Sequence, residues 1–382
     1  MHKQVSLVSF RRPIVTIRSD KVHVVGLSHD LDSQDSEIES FQEKVFKRFH
    51  DLSVADDDEF LSISWIQKLL DAFVGCQEEF RVILCNNKAY LLKPPVDKFL
   101  SEFFDRTTKA LDICNATRDG IEKIQQWKKH LEIVLCALDC NQKLIGEGQI
   151  RRARKALMDL AIFMLDHKET GSVFSHHNRS FGSLQQSKDH NRCGSGHSRS
   201  LSWSVPNSWS ASKQLQSMAN NLVAPRGNEL AAVNGLSIVI FTMSFILMFV
   251  LWILVAAFPC QDRGHQIQFT IPKHFPWSTP LYLLHSRIND ESKKRGCQHS
   301  NGFLKEIYQI EKCINHMTDF VDSAQLPLTD EQREEVREGV KELSLVCEVC
   351  KTELDPLERH LRDVFRKIMS CRTGGLELLG FA

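Results

Sequence analysis

Cys347 and Cys350 are spaced for chemistry, because two thiolates three positions apart on a helix can share one metal ion or close a redox pair. Both fall in register with Val336, Val340, Leu343, Leu354, Leu357, Leu361, Val364 and Ile368, a series spaced by fours and threes. That is the seam of a coiled coil or of a helical bundle, and no second ligand pair at zinc spacing follows. The expected role of both cysteines is therefore core packing. His176, His177, His190, Cys193 and His197 form a second ligand-rich group, set in a stretch of Ser, Asn, Gly and Arg that reads as solvated linker. Gly146-Glu147-Gly148 lacks the Lys-Ser/Thr pair of a phosphate loop and the third glycine of a dinucleotide fingerprint. There is no GxSxG elbow, HExxH helix or EF-hand loop. The chain is expected not to be an enzyme, with no catalytic, cofactor-binding or metal-binding residue to assign.

The elements that carry these residues are helical by their periodicity. Ile38, Phe41, Val45, Phe49 and Leu52 recur at three and four, and Ile66, Leu69, Phe73, Phe80 and Leu84, at three, four and seven, form the stripe of a second helix. Pro94-Pro95 precedes a third, long segment that carries Phe99, Phe103, Ala110 and Cys114, then Ile121, Ile124, Leu131, Leu135 and Leu138. A shorter helix, Ile150 to Leu165, shows Arg151, Arg152, Arg154 and Lys155. Their expected place is a solvated face, with anionic lipid or an acidic partner as the functional alternative. Near the C-terminus, Phe303, Ile307, Ile310, Ile314, Met317 and Val321 form one stripe, and Thr329 with Gln332 fits a capping box.

Residues Leu236 to Phe258 are a different kind of element. They form an apolar run centred near Leu247, with no charge between Glu229 and Asp262. About 20 apolar residues suffice to cross the hydrocarbon core of a bilayer, so a single-pass membrane helix is the leading reading. A helix buried on all sides in a bundle is the alternative, because it too is apolar all round. Lys213 and Arg226 before the run and Arg263 and Lys273 after it give no orientation. Spanning would also place the helices before and after the run on opposite sides of the bilayer.

The 382 residues contain 48 basic and 48 acidic side chains, so no global field draws the chain to nucleic acid. The N-terminus has scattered basic residues, and Val5, Leu7 and the stretch Ile14 to Ile17 suit a short strand that finds no evident partner. It lacks the continuous apolar core of a secretory signal, so mostly cytosolic regions are expected. Twelve cysteines at irregular spacing agree with a reducing compartment. From His167 to about Ser217 the low aliphatic content predicts a disordered linker. Within it Arg199 precedes Ser200 and Ser202, two candidate phosphorylation sites, and Trp203 and Trp209 are candidate docking residues.

These readings combine into an all-α fold: a bundle of long amphipathic helices, one very apolar helix and a linker. The expected boundaries are an irregular segment 1–35, an N-terminal helical region 36–166, a Ser-rich linker 167–230 and the apolar helix 231–259. A connector 260–280, a C-terminal helical pair 281–372 and a tail 373–382 follow.

Several blocks occurring in order resemble a plant family: RSLSWSVPNSWSASKQLQSMANNLVAPRGNE at 199–229, LWILVAAFPCQDRG at the end of the apolar run, and HFPWSTP after it. FQEKVFKRFHDL and the segment from Trp127 to Arg154 are also similar. The resemblance is to the plant BYPASS-related family, and more closely to its ROH branch. It implies a non-enzymatic helical protein linked to the exocyst, the complex that tethers secretory vesicles, and to deposition of seed-coat mucilage. The BYPASS branch implies instead control of a root-derived mobile signal. The partner so implied is an exocyst subunit, and the expected location is a membrane, with the cytoplasm as the alternative. Neither branch supplies catalytic residues.

Phosphate on Ser202 places negative charge beside Trp203 and raises the desolvation cost of an apolar dock. Ser202→Asp and Trp203→Ala should therefore lose recovery of an exocyst subunit in pull-down, and Ser202→Ala should keep it. Equal recovery for all three removes the switch.

Overall fold

Apolar residues at every third or fourth position wind most of the described chain into helices, and among the described residues there is no strand. The computed structural model describes residues 28–138, 145–165, 210–225, 235–260, 267–295 and 301–378. The first helices are α1 (Ser28–Ser53), α2 (Ile63–Asn86), α3 (Val96–Leu138) and α4 (Glu147–Leu165). A short α5 (Ala211–Asn220) precedes the apolar α6 (Leu236–Ala257). Then come α7 (Ser278–Arg295), α8 (Lys305–Ser323) and α9 (Asp330–Leu378).

Local signals set the ends. The Ser62 hydroxyl accepts from the Trp65 amide at 3.2 Å and so starts α2. Thr329 and Gln332 exchange reciprocal bonds of 3.2 Å at the start of α9, which is the capping box the sequence announces. At the end of α6 the carbonyls of Ala256 and Ala257 would be orphans, but the amides of Phe303 and Leu304 donate to them at 2.9 and 3.1 Å. Gly302 makes that approach possible. Its φ is +138°, and a Cβ there would lie 2.3 Å from the Ala257 oxygen.

Packing is organised around α6. Helices α1, α2, α3 and α5 lie against it, and the connector Ile267–Trp277 with α7 closes the remaining side. Phe269 of the connector meets Trp252 edge-on at 5.3 Å, and His285 of α7 lies 5.1 Å from the same indole. Every residue of α6 except Ile238 is buried. Outside this sheath α9, 49 residues long, crosses both α2 and α3, and at its start forms a hairpin with α8. Lys367 reaches Glu78 on α2 at 2.5 Å, and Gln125 on α3 donates to Asp355 at 3.0 Å. Helix α4 folds back along α3 and also touches α8.

The structure differs from the sequence reading at three boundaries. Helix α1 starts at Ser28 rather than 36, because its first turns are polar and show no apolar stripe, although their acidic residues suit a positive helix end. The Ser-rich linker assigned to 167–230 contains α5, whose Ala211, Leu215 and Met218 are buried at helical spacing too briefly to stand out. Ser210 caps it by accepting from the Lys213 amide. Helix α9 runs on to Leu378, beyond the expected end at 372, because Gly374-Gly375 is not a stop. Phe104 of α3 occupies the place of a Gly375 Cβ, at 1.9 Å. The C-terminal region is also three helices rather than a pair.

Gly302→Ala should lower stability by more than about 1 kcal/mol, since both its φ and the Ala257 carbonyl oppose a side chain. Gly148, in α4 with open space around it, is the control, and Gly148→Ala should be neutral or gain up to about 1 kcal/mol. Urea denaturation of both variants checks this; equal shifts would reject it.

Candidate functional site

Three segments that are far apart in sequence meet beside the first turn of α6. Helix α1 contributes Ile38, Glu39, Gln42, Glu43 and Phe46, which share a face at spacings of three and four. Ala224 and Pro225 follow α5, and Pro272, His274, Phe275 and Pro276 come from the connector. With Ile238, the one α6 residue left incompletely buried, they enclose a largely apolar groove of about 920 Å³.

The floor of the groove is a satisfied polar node. Gln42 is 6% exposed, and its Nε2 donates to Thr242 Oγ1 at 3.0 Å. Its Oε1 accepts from Trp277 Nε1 at 2.7 Å. One amide therefore pairs the hydroxyl of α6 and the indole before α7, both of which would be costly to bury alone. Phe275 stacks on Trp277 with centroids 4.9 Å apart and planes 11° apart, and Phe241 packs against Phe275 at 5.3 Å. Glu39 and Glu43 stand exposed at the rim. The described lining offers the Glu39 and Glu43 carboxylates, the His274 imidazole and the Gln42 amide, the last holding the buried Thr242 hydroxyl.

The sequence-predicted residues fall elsewhere. Leu236 and Leu247 are buried along α6 and Phe258 just past its end, with Leu236 one turn or less from the groove. Ser200, Ser202, Trp203 and Trp209 lie outside the described residues, as do the histidines from His176 to His197 and Cys193. Cys347 and Cys350 sit in the α9 seam against the bundle, 6% and 2% exposed. Burial pushes both thiols up to about 12, and nearby Glu132 and Glu306 push Cys347 and Cys350 respectively the same way. They are protonated packing residues at neutral pH. Among the described residues no group of three or more His, Cys, Asp or Glu is placed to hold a metal ion. In the basic cluster of α4, Arg154 bonds Asp322 of α8 at 2.9 Å, while Arg151, Arg152 and Lys155 stand in solvent.

Sequence reasoning missed the groove because its walls share no pattern. One signal did exist: Thr242 is a hydroxyl inside an apolar run, and a buried hydroxyl needs a partner from another element.

Glu306, in the first turn of α8, is the second buried polar site. Its Oε1 accepts from the Ile63 amide at the start of α2 at 3.1 Å, and Oε2 has no partner. Burial raises its pKa to about 7, and Glu353 pushes the same way; the backbone bonds from its own amide and from Ile63, and Lys305, oppose.

Comparison with known proteins gives one consistent result. A family model described as Protein ROH1-like matches residues 3–379. Protein ROH1D of Arabidopsis thaliana is 47% identical over 385 residues, covering 97% of this chain and 96% of its own. Protein ROH1A of the same plant is 34% identical over 391 residues, covering 93% and 92%. UPF0496 protein 4 of Oryza sativa subsp. indica is 20% identical over 290 residues, covering 75% of this chain and 54% of its own. No solved structure matches.

The Glu306 carboxyl has its folded pKa raised from 4.5 to about 7. Its contribution to stability is therefore full below about pH 4.5 and is lost as pH rises through about 7. Glu306→Gln keeps the acceptor for Ile63 and removes the charge. It should raise stability at pH 8 by up to about 3 kcal/mol and change little at pH 4.5. His285, held below its usual pKa by burial, titrates alike in both proteins and cancels. Denaturant curves at the two pH values, with the same wild-type to variant difference at each, would reject this.

Proposed function

Given that this chain belongs to the ROH1-like family, the ROH branch of the plant BYPASS-related proteins, we propose that it is a non-enzymatic helical adaptor whose partner is an exocyst tethering subunit. In that role it modulates polarised secretion, such as mucilage deposition. Its apolar helix acts as the core of a cytosolic bundle, and contact with membranes comes through the partner.

The observation that carries this reading is the cover on α6. Among the described residues α6 is the one helix long and apolar enough to cross a membrane. Its cover is drawn from both sides in sequence, with α1, α2, α3 and α5 before it and the connector and α7 after it. Crossing a bilayer would separate α9 from α2 and α3, α7 from α1, and α8 from α4. The apolar stripes of all these helices would then lose their partners, at about 25 cal/mol for each Å² returned to water. The same cover suits the soluble scaffold of a BYPASS-type pathway, and exocyst pull-down separates the two roles.

Full-length protein should leave membranes in carbonate, and Leu247→Arg should unfold the entire bundle, since an unpaired charge in a core costs about 3–5 kcal/mol. Carbonate resistance, or a Leu247→Arg protein that stays folded and only leaves the membrane, would establish spanning. Failure of the wild-type protein to retain an exocyst subunit would reject the partner.

A further inference from the structure

The groove beside α6 has an apolar interior and an acidic rim that lacks a counter-charge. Glu39 and Glu43 stand exposed one turn apart on α1, both line the groove, and neither pairs with a cation among the described residues. Like charges at this spacing repel, and a cation seated between them relieves both. Gln42, between the two carboxylates along α1, supplies a third group. One hydrogen of its Nε2 goes to Thr242, and the other has no acceptor among the described residues. At 6% exposure that donor is cut off from bulk water, so an oxygen carried into the groove would be its natural partner.

The walls Ile38, Phe46, Ile238 and Phe275 present carbon alone. From Ile38 to Phe46 the α1 wall is about 12 Å long, a length that a medium alkyl chain spans when extended. The volume, about 920 Å³, falls within the range of about 300–1,000 Å³ usual for small-molecule sites. A partner helix is about 10–12 Å across, and three turns of it, about 16 Å long, exceed this space. The groove therefore suits a small amphiphile.

We propose that the groove binds a single long-chain amino alcohol, with its ammonium between Glu39 and Glu43, its hydroxyl oxygen on Gln42 and its aliphatic chain along Ile38, Phe46, Ile238 and Phe275. An ammonium has three donors, enough to bridge two carboxylates. So seated, the molecule adds to the Gln42 node a second tie between α1 and the connector, and its supply becomes a control on that corner of the bundle.

Isothermal titration calorimetry of the full chain tests this with an amino-dodecanol, its amine and hydroxyl on neighbouring carbons, kept below the concentration at which it aggregates. One equivalent should saturate the protein. Dodecylamine, which lacks the oxygen for Gln42, should bind at least about threefold more weakly. Dodecanoate, whose charge opposes both glutamates, should bind at least about tenfold more weakly. Glu39→Lys with Glu43→Lys, both at exposed positions, should reverse the order of amine and carboxylate. Ala224→Trp, which fills the groove and leaves its charges, should abolish binding of every probe, with helix content unchanged by circular dichroism. The proposal is overturned by the absence of saturable heat, by more than one equivalent bound, or by dodecylamine as tight as the amino-dodecanol. A preference for the amine that survives the double substitution, or binding that survives Ala224→Trp, overturns it too. Each outcome is read on the protein alone and is independent of the exocyst assignment.

Discussion

A helix with no polar side must be covered on every side, and α6 imposes that requirement on the rest of the chain. Most amphipathic helices need one neighbour and turn the other face to water. Helix α6 needs neighbours all round, which explains why elements from both halves of the sequence converge on it. Its ends raise a second demand, because a helix buried to its last turn cannot leave its carbonyls to water. The backbone of Phe303 and Leu304 meets that demand, at a distance that only a glycine at 302 permits.

The same requirement governs the few polar atoms inside the sheath. Thr242 gains its partner from α1 through Gln42, and Gln42 in turn holds the Trp277 indole, so one amide ties three elements together. Such a node fixes the rotation of α6 about its own axis, since any other register would leave a hydroxyl, an amide and an indole unpaired. Where the cover is incomplete, at Ile238, the node becomes the floor of a groove. The groove is thus a by-product of the point at which the sheath stops.

Much of this was legible in the residues. The stripes of α1 and α2 are buried as their spacing requires, from Phe41 to Leu52 and from Ile66 to Leu84, and Cys347 and Cys350 pack as the seam register demands. The environment of α6 was not legible, because a bilayer and a protein interior both select apolar residues on all faces. Helix α5 was hidden by its brevity, and the end of α9 by a glycine pair that resembles a helix stop until Phe104 is seen against it. The groove and Glu306 were hidden for another reason: each depends on which elements meet, and single-chain periodicity carries no information about that. Membership of the ROH1-like family supplies a context for the groove without assigning it a ligand.

The order of the cover along the chain also matters for how the protein is made. Helices α1, α2, α3 and α5 all precede α6, so most of its walls have left the ribosome before the most aggregation-prone segment emerges. Only the connector and α7 remain to be synthesised before the last side closes. A chain with the same helices in the reverse order would leave that segment without cover throughout the synthesis of its own shelter.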